Sequence, residues 1–486
     1  MTWSFRVAAV LSGTALLLGF LWVYLFDGPE PGISVPLYLA MLVGGGWAAT
    51  RWLGRPVRLN WWLLTPLASF GLMVMVRSSE MLMVLNILAC LVLLLVIVAD
   101  GRPVRVERWH WREWITLPLV PINLFEPLGR AIGALSQYER GGQVTVTVKR
   151  VLVGVLVAVP LLVIFGSLFA TADPTFAKYA QQIFNFQADP QLMRQIVQSL
   201  VVSAIVLGTL GFMMTATSAE PGKRILARPF GDVEAIVALG LVAVLFGSFI
   251  LIQVSYLFGG NQNIGAEGLT YADYARQGFF ELLTVGVLTL GTLSLADRFT
   301  RQKASGHDVR FKWLGSILVV EVLAILASSF QRLWLYEEAY GYSELRLFSH
   351  AFTILLAILF GLFVVKLWRN HEASWWLWRS FGASMVALIV MNLANPDATI
   401  ARLNLDRYER TGKLDVAYLV SLSPDAVPVT AEFARGEGDV PSWVRRDLRT
   451  TAETRGFNQT RPEWQSYNLG WEEAVTAMRN LPEVSK

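Results

Sequence analysis

A carboxylate inside an apolar run is costly, and Glu321 is such a residue. It stands about two turns into the run Leu314–Tyr336, roughly 10 Å from the start of that run at helical rise. No basic residue on a neighbouring run is level with it. Glu321 is therefore either a protonatable or ligand-binding carboxylate, or a neutral glutamic acid hydrogen-bonded to another helix. A second concentration of chemistry lies just beyond, in Tyr336-Glu-Glu-Ala-Tyr-Gly-Tyr-Ser-Glu-Leu-Arg346. With charges at the ends of adjacent runs it forms a candidate binding cluster: Arg276, Glu281, Arg332, Tyr336, Glu337, Glu338, Tyr340, Glu344 and Arg346, with His350 close by. Tyrosines among carboxylates can bind a sugar or a cation. The same residues also make an interfacial belt with solvated acids. Arg332 with Glu281 is a sensible structural ion pair in either reading.

Other chemistry has no signature here. A phosphate loop, a dinucleotide fingerprint, H-E-x-x-H and G-x-S-x-G are all missing, so no catalytic residue is assigned and no cofactor is expected. The 4 histidines (His110, His307, His350 and His371) lie far apart without zinc-site spacing, and no metal is expected. The 1 cysteine, Cys90, precludes a disulfide within the chain. Gly259, Gly260, Gly265 and Gly268 read as turn residues.

The elements that must position these side chains are apolar. Of 486 residues, 54% are hydrophobic and only 16% charged, against about 25% charged in soluble domains. Mean hydropathy is +0.47. A water-soluble fold of this length would lack a polar shell, whereas 18 Trp and 13 Tyr suit membrane-interface belts. The net charge of +4 is scattered between runs rather than gathered on one face, which argues against nucleic acid as a partner.

About eleven runs reach or approach the length that crosses a bilayer. They are Val7–Phe26, Ile33–Thr50, Trp61–Val76, Met81–Ala99, Val151–Ala170, Ile196–Thr217, Val233–Gln253, Gly278–Leu295, Leu314–Tyr336, Leu345–Trp368 and Trp376–Leu393. The first reads as a retained span, because a signal peptide has a shorter apolar core and a small-residue cleavage site.

The gaps between runs alternate in charge. Arg51, Arg55 and Arg58 follow the second run, and the Asp100–Arg150 gap after the fourth is rich in arginine. Lys223, Arg224 and Arg228 follow the sixth, and Arg298, Arg301, Lys303, Arg310 and Lys312 the eighth. By contrast Asp27–Gly32 holds no basic residue, and the gap after the fifth run holds only Lys178. The positive-inside rule then puts the amino terminus in the cytoplasm, and an odd number of crossings puts the carboxy terminus outside.

Within the longest basic gap, Arg105-Val-Glu-Arg-Trp-His-Trp-Arg-Glu-Trp114 mixes arginine with tryptophan, and Ile115–Glu126 is apolar but broken by Pro118 and Pro121. This segment either lies on the inner leaflet, with arginines on anionic headgroups, or packs beneath the bundle as a connector. The lipid bilayer is thus the expected partner, and nothing points to a particular protein. After Leu393 charges of both signs become frequent. Helical spacing over Ile400–Thr411, Trp443–Ala452 and Trp471–Leu481, and Pro424 just inside another start, predict helices there. The expected fold is all-α: a polytopic bundle over residues 1–394 with a small helical extracytoplasmic domain over 395–486.

Several of these stretches also resemble a known family. Tyr256-Leu-Phe-Gly-Gly260, Tyr271-Ala-Asp-Tyr-Ala-Arg-Gln-Gly-Phe-Phe-Glu-Leu282, Arg332–Arg346 and Asn392-Leu-Ala-Asn-Pro-Asp-Ala-Thr-Ile-Ala-Arg-Leu-Asn-Leu-Asp-Arg-Tyr408 carry the likeness. Gly412-Lys-Leu-Asp-Val-Ala-Tyr-Leu and Trp464–Leu469 add to it. They resemble bacterial multi-pass proteins grouped as domain of unknown function 4173, with its relative 4153. The resemblance implies a bacterial plasma (inner) membrane protein and assigns no activity. The expectation is a non-enzymatic envelope sensor, assembly factor or regulator. An outer-leaflet transferase acting on a lipid-linked sugar is the alternative, and a transporter using Glu321 is a third.

Overall fold

The computed structural model describes residues 3–54, 59–100, 105–135, 190–215, 232–258, 278–299, 309–435, 442–457 and 463–480, with single positions at 169, 173, 175, 459 and 461. Of these, 88% are helical and none is in a strand, so the all-α class holds. A backbone in hydrocarbon must satisfy its N–H and C=O groups within its own segment, and helices do so.

In chain order the helices are α1 (Phe5–Phe26), α2 (Ser34–Trp52), α3 (Trp61–Val76), α4 (Glu80–Asp100), α5 (Trp111–Thr116), α6 (Phe125–Leu135), α7 (Pro190–Thr215) and α8 (Asp232–Phe258). Then follow α9 (Phe279–Phe299), α10 (Val309–Tyr340), α11 (Glu344–Arg369), α12 (Ala373–Ala394), α13 (Pro396–Thr411), α14 (Val416–Ser421), α15 (Val427–Arg435), α16 (Ser442–Thr454) and α17 (Leu469–Arg479).

Among the described residues 8 helices are long and apolar enough to cross a membrane: α1, α4 and α7–α12. The expected runs Ile33–Thr50 and Trp61–Val76 are helical, as α2 and α3, but neither is among these eight. In α2 three successive glycines, Thr50 and Arg51 dilute the hydropathy. The 16 residues of α3 reach only about 24 Å at helical rise. The expected run Val151–Ala170 lies outside the described residues, Phe169 excepted. Side chains on the outer faces are apolar: Val244 and Leu251 are each 72% exposed. Such faces fit acyl chains better than water.

Two groups of helices share the core. Leu11, Leu63, Phe70 and Leu93 lie in the group built from α1–α4 and α7, and Phe311, Leu318, Phe360 and Phe363 in the group of α8–α11. Helix α12 joins them, since Trp376 packs with the second group while Phe381, Met385 and Ile389 pack against the first. At Gly19 a Cβ would collide with the Ser199 carbonyl and the Ser203 side chain, so a glycine is needed for α1 to approach α7. The segment after α4 is not free. Val106, Trp109 and Val120 are buried against α4 and α12, with Trp114 against Phe381 at 5.1 Å. The connector reading therefore describes its buried side. Ile115, Leu119, Ile122 and Phe125 face outward.

Helix α10 runs past the apolar stretch at both ends. It stops at Gly341, whose φ of +88° is a left-handed conformation that a side chain would strain. The C-terminal helices α13–α17 pack on one another around Ile400, Ala401, Leu419, Ala431 and Ala474. They sit at the end of the bundle where α1, α3, α10 and α12 finish, here termed the cap end.

Candidate functional site

A helix that finishes leaves its last carbonyls without intrahelical donors. At the cap end, side chains from elsewhere supply them. Arg407, buried on α13, donates from Nε to the Glu338 carbonyl at 3.0 Å and from Nη2 to Ala339 at 2.6 Å, closing α10. Arg77 Nε donates to the Asn392 carbonyl at 2.7 Å, near the end of α12. Asn468 Nδ2 donates to the Val74 and Arg77 carbonyls at 3.0 and 2.9 Å, closing α3, while its Oδ1 accepts from Trp471 N and caps α17. Asn404 binds both polar groups of the Tyr342 backbone. Cations and amide donors at helix carboxy ends also answer the negative pole of each helix dipole.

Further links reach the first loop. Arg461 pairs with Glu30 at 2.7 Å and stacks on Trp471 at 4.4 Å, and Ile33 N donates to the Tyr467 carbonyl at 2.9 Å. Burial lowers the Arg461 pKa, and Glu30 and Glu472 oppose that. Below the joint, Asn86 of α4 and Asn392 of α12 exchange amide hydrogen bonds at 2.8 Å in each direction.

Acids occupy the middle of this joint. Asp425 is 4% exposed and accepts from Ser78 N at 3.0 Å, beside the start of α4. Its other oxygen, Oδ1, is buried without a hydrogen-bond partner. Burial pushes its pKa up to about 6; the Ser78 N–H and the Arg77 guanidinium pull down, and Asp397 pushes up. Asp397 is fully buried in the first turn of α13 and accepts from the Ser423 hydroxyl. Glu344 faces Asp397, with Glu80 nearby. The Tyr418 hydroxyl accepts from Glu344 N at 2.9 Å. Burial is the largest cause raising its pKa. Among the described residues no group of three His, Cys, Asp or Glu is placed to hold a metal ion.

The cluster expected from sequence is divided by this geometry. Tyr336, Tyr340 and Arg346 come together, with ring centroids 4.8 Å apart and the guanidinium 4.3 Å over Tyr336. Glu337 is buried and meets His350 Nε2 at 3.0 Å, while Glu337 Oε1 and His350 Nδ1 are buried without partners. Glu338 is exposed and contributes its carbonyl to Arg407. Glu344 belongs to the acidic joint instead. Arg332 approaches Gly278, the residue before α9, which carries Glu281 in its first turn. Arg276 lies outside the described residues. Glu321 sits at the seam of α8 and α10: a Cβ at Gly247 would lie 3.3 Å from Oε1, and Oε2 is buried without a hydrogen-bond partner.

Sequence reasoning gives no role to Asp397, Asp425, Arg77, Arg407, Asn86, Asn392 or Asn468, although Asn392, Asp397, Arg407 and Asn468 lie in stretches that carry the family resemblance. Ser423-Pro424 beside Asp425 and Asn395-Pro396 beside Asp397 carry the same local signal, an N-cap followed by proline, and Asn395 Oδ1 does accept from Ala398 N. At the opposite end it also passed over a buried ion pair, Lys366 with Asp297, and Lys312 Nζ bonded to Asn370 at 2.6 Å.

A family model matches residues 64–433, the greater part of the chain. The chain belongs to that family, DUF4153, a domain of unknown function. The sequence motifs point first to group 4173 and to this one as its relative; the match is to 4153, and it takes in α3 and α4 as well as the later spans. No curated protein and no solved structure matches the chain. A DUF4153 domain with apolar helices of this length makes it an integral membrane protein of uncharacterised function.

Proposed function

We propose that this protein is a non-enzymatic sensor or regulator of a bacterial envelope, seated in the inner membrane with its amino terminus in the cytoplasm and its cap outside. In this reading the C-terminal helices meet the outside conditions and the spans carry the response. One observation supports it above the rest. Asp425 buries a carboxyl in the joint between cap and α4, and burial pushes its pKa up to about 6. Arg77 and Asp397 are the charged groups facing it, with Glu344 and Glu80 beyond. Ionisation there loosens the joint, so mild acid holds the cap down and neutral pH frees it.

Two cysteine variants test this in intact cells with an impermeant thiol reagent. Glu463 is exposed, so Glu463→Cys reports which side the cap is on. Ser466 is 3% exposed, so Ser466→Cys reports opening. Because the thiolate is the form that reacts, labelling of the second is read relative to the first at each pH; that ratio is expected to rise between pH 5 and 8, and to rise less in Asp425→Asn. Labelling of Glu463→Cys only after cell rupture overturns the orientation. A ratio of Ser466→Cys to Glu463→Cys labelling that is the same at all pH values overturns the sensing role.

The unpartnered Glu321 oxygen favours a second reading, a transporter in which this carboxyl carries a proton or cation. A Glu321→Gln variant that behaves as wild type in every growth condition affected by deletion would remove that reading.

A further inference from the structure

Between α3 and α12 lies a groove of about 610 Å³, away from the joint and not used by the proposed role. Its walls are mostly apolar, with Pro66, Gly382, Met385 and Ile389 along its length and Trp62 and Trp378 near one end. Thr65 and Ser69 also line it, but their hydroxyls donate to the Trp61 and Thr65 carbonyls and present no free donor. Charge is confined to the end remote from the cap, where Arg379 of α12 and Glu107 of the connector line the same space. Arg379 is stacked on Trp375 at 4.0 Å, which fixes its guanidinium. From Arg379 to Ile389 is about 15 Å at helical rise, roughly half of a hydrocarbon core and so one leaflet deep. Pro66 adds a further polar feature. Having no N–H, it leaves the Trp62 carbonyl without its intrahelical donor, close to the charged end.

We propose that this groove binds one phospholipid of the adjacent leaflet, with a headgroup that pairs a phosphate with a primary ammonium, as in phosphatidylethanolamine. The acyl chain lies along Pro66, Met385 and Ile389. The phosphate meets Arg379, and the ammonium meets Glu107 and the Trp62 carbonyl. The paired charges choose the headgroup. A purely anionic lipid would satisfy Arg379 but set its charge beside Glu107, and a choline headgroup has no N–H to donate.

The test uses the full chain, purified and delipidated in nonionic detergent. Phosphatidylethanolamine, phosphatidylglycerol and phosphatidylcholine with identical acyl chains are added in equal amounts, and bound lipid is counted by native mass spectrometry. Wild type is expected to retain the ethanolamine lipid about tenfold over the other two, the worth of one charge-assisted hydrogen bond. Glu107→Gln, which keeps the side-chain shape and removes the charge, should narrow the lead of the ethanolamine lipid over the choline lipid and raise retention of phosphatidylglycerol above that of the choline lipid. Arg379→Ala should weaken all three. A Cβ at Gly382 meets nothing within 4 Å, so Gly382→Phe fills the groove and should abolish retention. An ethanolamine lipid with a photoreactive acyl chain should label the peptides carrying Pro66 and Met385. Equal retention of the three lipids by wild type, an unchanged ranking in Glu107→Gln, or labelling of other segments would each overturn the proposal. The ranking in Glu107→Gln decides the matter even where Gly382→Phe fails to fold.

Discussion

Replacing Asp425 by asparagine tests the joint most directly. Asparagine keeps an acceptor for Ser78 N and cannot ionise. It also offers an N–H₂ on the side of the carboxyl that lacks a partner. The carboxyl moves from 3.8 to about 6 on burial. Each pH unit is worth about 1.4 kcal/mol, so the ionised form costs the docked state about 3 kcal/mol relative to the protonated form. The folded pKa is raised, so the docked cap binds more protons than the undocked one. Its stabilisation is therefore complete below about pH 4 and falls as pH rises through about 6. In Asp425→Asn that part of the loss disappears, while Glu344, pushed up to about 7 by burial and by Asp397, keeps its own in both proteins. Hydrogen exchange of the amides in Val427–Arg435 and Leu469–Arg479, measured side by side at each pH, gives the opening equilibrium of variant and wild type. The two should match near pH 4. By pH 7 the variant should open up to about a hundredfold less. The same ratio at every pH, or a variant that opens more readily at pH 7, would refute the placement of an ionisable group at this joint.

Other substitutions probe the remaining contacts. Arg407→Met should leave the last carbonyls of α10 buried and unbonded, destabilising cap docking by about 2–4 kcal/mol and raising exchange in α13. Asn86→Leu and Asn392→Leu should each destabilise the bundle by about 1–2 kcal/mol, with the double variant less damaging than the sum; thermal unfolding in nanodiscs measures that cycle. Lys366→Met removes the ammonium paired with Asp297, which is only 4% exposed, and should destabilise by up to about 3–5 kcal/mol, with a double variant that adds Asp297→Leu costing less than the sum of the two single changes.

Much of the bundle is legible without coordinates. The run Trp61–Val76 is α3 to the residue, and Leu345–Trp368 differs from α11 by one position at each end. Where the runs and helices part, as with Leu314–Tyr336 inside α10, hydropathy reports only the apolar stretch while backbone hydrogen bonding continues to Gly341. The grouping of Tyr336, Glu337, Glu338, Tyr340, Glu344 and Arg346 was less faithful. Successive residues around a helix end point in different directions. Glu337 turns to His350, Tyr336 to Arg346, and Glu344 to Asp397.

Sequence alone determined the medium and the class of this protein, because burying apolar runs of bilayer length is a local, additive property of consecutive residues. Motifs that are read in order also led to the neighbourhood of the family, DUF4153, that the match over residues 64–433 shows. Only the tertiary structure decided which polar residues meet. Arg77 is hundreds of positions from both Asn392 and Asn468, and each taken singly is an ordinary polar residue. What joins them is the set of unsatisfied carbonyls at the ends of packed helices, and those have no location until the helices are placed side by side.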